Sequence, residues 1–374
     1  MITKTPNLLF FILTNGLFEV FLAAARRGDG PERALLTTIT QTHTPKPTTK
    51  PHHETDISSH DTSATLKVAI TVSLLAGGLL YAGSPETPPA PAPAEKGPPL
   101  PLHEIEGNGG IFSTLSAYLV NPPRNGEPVG RPSIGAAFVD LGNGRNLEAL
   151  TITETPWDRL ELGYGYDRLD IGDLPQAIQN ATHIGINESA VNLHNFNARL
   201  ALLKEGEFGQ SWLPALTFGV HYKVNTSVDD INHELGGVLK SIGIENNSGV
   251  DYTLYATKLF KNLPFPVLVN VGVRETEAAH LGLLGFTDHY SANFEGSIGV
   301  FLTDKLILAG EYRQKPNNYK AIPGLIASED DWWTIDLAYV VSNNFTVALG
   351  YGHFGGVLNH NANAAIGVTI KNEF

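Results

Sequence analysis

No cysteine occurs in the 374 residues, and the single methionine is Met1. The first absence excludes disulfides, thiolate metal sites, cysteine nucleophiles and the lipid-bearing cysteine of a lipoprotein. Basic residues are scarce, 25 Lys and Arg against 38 Asp and Glu. Setting aside positions 1–83, with seven basic and six acidic residues, leaves 18 basic against 32 acidic, a net charge of -14. Such a surface repels phosphate backbones, so a nucleic-acid partner is disfavoured. Long apolar runs are also missing, and only 17% of the residues are charged. The mean hydropathy of -0.06 is near neutral. That value suits a soluble β protein, and it suits equally a barrel in which every second side chain faces a lumen.

The front third differs from the rest. Residues 31–65 hold ten Thr with several Pro and His and no apolar period. They cannot bury enough surface to offset ordering entropy, so 1–65 is read as disordered or as an over-extended gene start. Residues 66–84 run from Lys67 through a short apolar stretch to small residues, the pattern of a secretory signal peptide. An uncleaved anchor over 68–83 and a weaker leader at Leu8–Phe18 are the alternatives. Residues 85–106 begin as a Pro/Ala linker of extended, polyproline-like character.

The carboxyl terminus alternates. Ala362, Ala364, Ile366, Val368, Ile370 and Phe374 fall on one face, Asn363, Thr369, Lys371 and Glu373 on the other. A period of two with one apolar and one charged face describes a strand between two media, lipid outside and water inside. The ending, with Ile366, Val368, Ile370 and the final Phe374, resembles the signal read by the barrel-assembly machinery of Gram-negative outer membranes. An amphipathic edge strand of a soluble sandwich is the competing reading. The same alternation recurs in Tyr290–Leu302, Lys305–Lys315, Phe265–Glu275, Phe345–Tyr351, Asp331–Val341, Leu213–Lys223, Asn195–Leu203 and Arg159–Asp167. Counting back from Phe374, connections alternate between long and short, with one of medium length at 204–211. Outer-membrane barrels have short periplasmic turns and longer outer loops, and a sandwich has no reason for this order.

These patterns predict an all-β, antiparallel, up-and-down transmembrane barrel of about 12 strands, within 12–14, over residues 107–374. Candidate strands at 133–141 and 147–154 complete twelve. The stretch 111–120 alternates poorly and is placed in the periplasm or lumen, whereas a strand hidden in 169–190 would instead raise the count to fourteen. The run Glu106-Gly107-Asn108-Gly109-Gly110, with the repeated Leu/Tyr-Gly-Tyr-Gly strands, resembles an uncharacterised family of proteobacterial outer-membrane barrels over roughly residues 104–374. The resemblance implies location and fold, and no activity.

Chemistry is sparse, and neither a catalytic set nor a cofactor is assigned. Ser297 in Gly296-Ser297-Ile298-Gly299 lacks the preceding glycine of a nucleophile elbow and lies mid-strand. His221, on an inward face, would act as a base with Glu161 or Asp336 in a hydrolase, and is otherwise a solvated lumen group. His280, His289, His353 and His360 bracket two loops without the spacing of a metal site, so no metal is assigned. The expected lumen lining is Arg159, Glu161, Arg199, His221, Lys223, Arg274, Glu295, Glu311, Arg313, Asp336, Lys371 and Glu373. In a pore these groups select solutes by charge and size; in a closed barrel they pair across the lumen. The favoured reading is a non-enzymatic passive channel for a small solute in the outer membrane of a Gram-negative bacterium. Its expected partners are the lipid bilayer, lipopolysaccharide and the barrel-assembly machinery. A structural or adhesion barrel with a plugged lumen and functional loops is the alternative, and an outer-membrane hydrolase the second. Tyr222, Trp333, Tyr339 and Tyr351 are expected at the bilayer interfaces.

Overall fold

The computed structural model describes residues 102–124, 127 and 129–374. The readings of residues 1–101, leader and linker among them, lie outside the described residues. Twelve strands form the wall: β1 Ser133–Gly142, β2 Arg145–Trp157, β3 Leu160–Asp170, β4 Ala190–Leu203, β5 Ala215–Asn225 and β6 Ser248–Phe260. The second half comprises β7 Val267–Ala279, β8 Gly285–Phe301, β9 Leu306–Arg313, β10 Trp332–Val340, β11 Phe345–His353 and β12 Ala365–Glu373. Each strand pairs antiparallel with the next in sequence. The sheet closes where β12 pairs β1, with Glu373 opposite Ser133 and Ile366 opposite Asp140. Closure leaves no unpaired edge, which is what a backbone inside lipid requires.

Alternation sorts the side chains. Leu150, Leu254, Val271, Val273, Phe294, Ile298, Ile335, Leu349 and Ile366 stand exposed on the outside. An apolar belt of this extent on a free surface marks contact with lipid. Among the described residues no helix is long and apolar enough to cross a membrane. One barrel end carries the short connections, the other most of the long ones; they are termed the turn end and the loop end. Two loop-end connections are short: the five residues 280–284, and Asn143-Gly144, whose φ values of 53° and 71° provide the mirror-image turn that a two-residue hairpin needs.

The long loops fold into a second hydrophobic core. Residues 171–189, where a further strand was one sequence alternative, contain instead helix α1, Leu174–Thr182. Leu174 and Ile178 lie four apart and both bury, a helical rather than an extended spacing. Helices α2 (Val228–Glu234) and α3 (Val238–Ser241) add Ile231 and Leu239. With Leu283, Leu284, Phe286, Ile326 and Leu358 these residues build an aliphatic cap over the loop end.

Three loop residues pin that cap. Lys315 Nζ pairs with Glu329 Oε2 at 2.8 Å, and the His280 N–H donates to Glu329 Oε1 at 2.8 Å. Burial pushes the Glu329 carboxyl up, but the Lys315 ammonium and His280 outweigh it and hold the carboxyl below its ordinary 4.5. Burial also holds the His280 imidazole below its ordinary 6.5, against the opposing pull of Glu329. Both folded values lie under the unfolded ones, so both contributions are complete above about pH 6.5 and fade as pH falls. Exchange protection of the His280 amide, corrected for intrinsic rate, should therefore drop on acidification from pH 7 to 4. Glu329→Gln should lower it at least tenfold already at pH 7, because Lys315 is then buried without its anion.

Candidate functional site

The inward side of the wall is closed to water. Inward residues of all twelve strands, among them Val139, Thr151, Glu161, Asn197, His221, Asp251, Arg274, Glu295, Glu311, Asp336, Ala348 and Lys371, are buried. What fills the lumen is the segment 102–121, which enters and leaves at the turn end. Leu102 packs on Ala338 and Ala348 with Ile307. The chain rises to a tight turn at Glu104–Gly107 and returns to Asn121. Residues 102–106, read from the sequence as the end of a linker, and the poorly alternating 111–120 are thus both parts of this plug.

The turn is self-made. The Glu104 carboxylate accepts from the Glu106 N–H at 2.9 Å and from Asn108 Nδ2 at 3.2 Å. Gly107, at φ 88°, adopts the backbone region that glycine alone enters freely. Opposite it, Gly163-Tyr164-Gly165 of β3 lets the two backbones meet. A Cβ at Gly163 would lie 2.2 Å from the Gly107 carbonyl oxygen, and one at Gly165 2.6 Å from that of Glu106. The two glycine motifs noted in the sequence are therefore the two sides of one contact.

Wall side chains then hold the plug backbone. The Glu311 carboxylate accepts from the N–H groups of Phe112, Ser113 and Thr114 at 3.1, 3.0 and 2.7 Å. Glu161 accepts from Gly109 N–H at 3.3 Å and Val120 N–H at 2.6 Å. Arg199, ion-paired to Glu161 at 3.3 Å, donates to the carbonyls of Gly109 at 2.8 Å and Tyr118 at 3.3 Å. Asn270 donates to Leu115 O, Asn197 to Glu106 O and Thr217 to Ala117 O. Apolar contacts join these bonds: Leu115, Ala117 and Tyr118 pack with Ala215 and Tyr255 of the wall.

Toward the loop end lies an ion network of three cations and three anions. Lys223 pairs with Glu106, and with Asp251 at 2.7 Å. Arg274 reaches Glu106 at 2.8 Å, Asp251 at 2.7 Å and Glu295 at 2.8 Å. Arg313 pairs with Glu295 at 3.2 Å and Glu106 at 3.4 Å, and Tyr255 donates to Glu295. Five of the six charges belong to the wall. The sixth, Glu106, comes from the plug, and without it the wall carries three cations against two anions.

Of the twelve residues expected to line the lumen, eleven are buried on the inner side. Arg159 is the correction: it lies in the β2–β3 turn, 38% exposed, paired with Glu207. A turn residue escapes the period that sorts its neighbours. Lys371 pairs with Glu373 at 2.6 Å. Asp336 accepts from Thr334 at 2.6 Å. Sequence reasoning missed Glu106, Asp251 and Tyr255. The last two lie at inward positions of β6, where the period of two would have found them.

The hydrolase and metal candidates gain little. The His221 ring meets Asn197 at 2.8 Å and Thr253 at 2.9 Å, with Asn108 at 3.4 Å, rather than Glu161 or Asp336. Ser297, buried, accepts from Asn270 at 3.3 Å. His280 is bound to Tyr319 inside the cap, His289 sits exposed beside Asp288, His353 stacks on Trp333 and His360 meets Leu141 O. Among the described residues no group of three or more possible metal ligands is gathered. At the terminus, Ile366, Ile370 and Phe374 face outward, 63%, 38% and 55% exposed, with Val368 half-buried on the same side.

The wall just described coincides with a known sequence family. The family model "Protein of unknown function (DUF3034)" matches residues 132–370, from the start of β1 into β12. The chain belongs to DUF3034. The DUF3034 match covers the wall and the cap loops and stops short of the plug. Among curated proteins none matches. Among solved structures, the KdgM porin in complex with disordered oligogalacturonate aligns at TM-score 0.38 and 11% identity, over 65% of this chain and 99% of that one. The outer membrane phospholipase of Salmonella typhi, a dimer with bound calcium, aligns at 0.34 and 13% identity, over 67% and 94%. The toluene transporter TodX of P. putida aligns at 0.30 and 11%, over 72% and 99%.

Proposed function

We propose that this DUF3034 protein is a gated channel of the Gram-negative outer membrane, held shut by its own segment 102–121, rather than a permanently open porin. One observation carries the reading: the plug supplies Glu106, the sixth charge of a lumenal network whose other five members are wall residues. A barrel that served only as a scaffold would have no need to balance its lumen with a removable segment. Its own wall strands carry enough acidic positions to do so. Much of the plug's hold is hydrogen bonds and ion pairs, which water or a polar solute replaces at little net cost, beside the buried apolar contacts of Leu102, Ile105, Phe112, Leu115 and Tyr118. Once it leaves, the inward Arg, Lys and Glu side chains face an aqueous path whose field selects solutes.

The test is conductance of the refolded protein in a planar bilayer, with heat-modifiable gel migration as the folding control. The unaltered chain should give long silent intervals. Gly163→Val, which drives a side chain into the Gly107 carbonyl while leaving the β3 ladder intact, should give steady ohmic steps. A folded Gly163→Val barrel that stays silent would return the function to a plugged scaffold with working loops.

A further inference from the structure

The aliphatic cap encloses a cavity of about 80 Å³ that the lumen does not explain. Its walls come from Leu174 and Ile178 of α1, Ile231 of α2, Leu239 of α3, and from Leu284 and Leu325. Thr182 is the one polar side chain on the wall, and its hydroxyl already donates to Ile178 O at 2.8 Å. Water needs two to four polar partners to stay in a cavity, and this wall withholds them. Two further wall residues, Ile184 and Val238, are 42% and 38% exposed, so the cavity has a mouth toward solvent. Beside it runs an open groove of about 580 Å³, which shares Ile322 and Ile326 with the cavity and adds Ser328, Asn359 and His360.

We propose that this cavity is a binding site for a small, uncharged, apolar effector such as a short hydrocarbon, whose occupancy bears on the plug through the turn at 281–284. Its effect on gating rests on the channel reading above; the binding site does not. The volume is about half that of an engineered cavity that holds benzene, so the cavity takes in an aliphatic segment of a few carbon atoms while the rest of the guest lies in the mouth beside Ile184 and Val238. A charged or hydroxyl-rich solute would leave its polar groups unpaired against aliphatic walls. Position adds to the argument. Leu283 and Leu284 line the cavity, while in the same turn the Leu281 carbonyl accepts from Lys223 Nζ at 3.2 Å. Asn225 donates to the carbonyls of Gly282 and Leu283, both at 2.9 Å. A single turn therefore touches both the apolar guest site and the cation that holds Glu106 of the plug.

The test uses the refolded protein in lipid nanodiscs with isoleucine methyls labelled for NMR, titrated with n-pentane. The methyls of Ile171, Ile178 and Ile231 should shift and saturate. Those of lipid-facing Ile298, Ile335 and Ile366 should drift only in proportion to added pentane, reporting its partition into lipid. Leu284→Trp fills the cavity and should weaken the saturable response at least tenfold. If that variant loses its heat-modifiable band, Leu325→Phe at the half-buried edge serves the same purpose. Pentanoate, the same chain with a charge, should leave the cap methyls in place. Cap methyls that drift only linearly, or a saturable response of equal strength to pentanoate, would overturn the site. Saturable pentane binding in a barrel that never conducts, even as Gly163→Val, would remove transport and keep the site. Conduction by Gly163→Val without saturable binding would remove the site and keep the channel.

Discussion

Glu106→Ala is expected to turn a silent barrel into a conducting one. The substitution leaves Lys223, Arg274 and Arg313, each buried, with Asp251 and Glu295 as their remaining ion-pair partners. Removing one partner of a buried ion network costs roughly 3–5 kcal/mol, because the charge left behind is neither paired nor hydrated. Water must enter or the plug must leave, and either event opens the lumen. The inward wall carries more carboxylates (Glu161, Asp167, Asp251, Glu295, Glu311, Asp336 and Glu373) than cations (Arg199, Lys223, Arg274, Arg313 and Lys371), so the open state should pass cations more readily than anions, read as a shift in reversal potential under a salt gradient. Restoring the balance should restore closure: Glu106→Gln combined with Lys223→Met returns two cations against two anions. A folded Glu106→Ala barrel as silent as the parent would show that the hydrogen bonds of Glu311, Glu161 and Arg199 suffice to hold the plug.

The second large effect lies on the other side of the wall. Val271→Arg places a cation in the middle of the lipid-facing belt, between Ala256 of β6 and Gly296 of β8. A cation at the bilayer midplane costs about 2–4 kcal/mol and near an interface about 0–1 kcal/mol. Val269 lies two residues nearer the turn end, opposite Lys258, a position where the protein already tolerates a cation. Val271→Arg should therefore abolish the heat-modifiable band in refolding assays, and Val269→Arg should retain most of it. Equal yields from the two would contradict the membrane depth assigned to this belt.

Most of the wall was readable before any coordinates because its pattern is imposed twice, by lipid outside and by charge inside. Tyr290–Leu302 and Lys305–Lys315 had the right faces, and the connection lengths placed the turn end correctly. The plug resisted for a physical reason. Its residues are recognised through backbone N–H and C=O groups, as at Glu311 and Arg199, and these leave no side-chain pattern. What does mark it is glycine: Gly107 in the plug and Gly163 and Gly165 in β3, visible as a motif but mute about what each one faces. Arg159 failed through the opposite error, a strand period carried one residue into a turn. The cap was hidden because its aliphatic residues, such as Leu174 and Ile178, read as loop until their spacing is tested against a helix.

One feature of the plug bears on how it would move. Leu102 and Asn121 both leave by the turn end, so the segment is a loop inserted through one mouth and is not threaded through the barrel. It can be withdrawn without parting any wall strand. Tension on the chain ahead of Leu102, directed out of that mouth, loads the seat on Ala338 and Ala348 first, then the His103–Thr151 contact, and only later Glu106. Bonds that fail one after another yield to a much smaller peak force than bonds sheared together. The same force applied from the other end would press the plug against the cap, and the assembly is in that sense a mechanical ratchet with one easy direction.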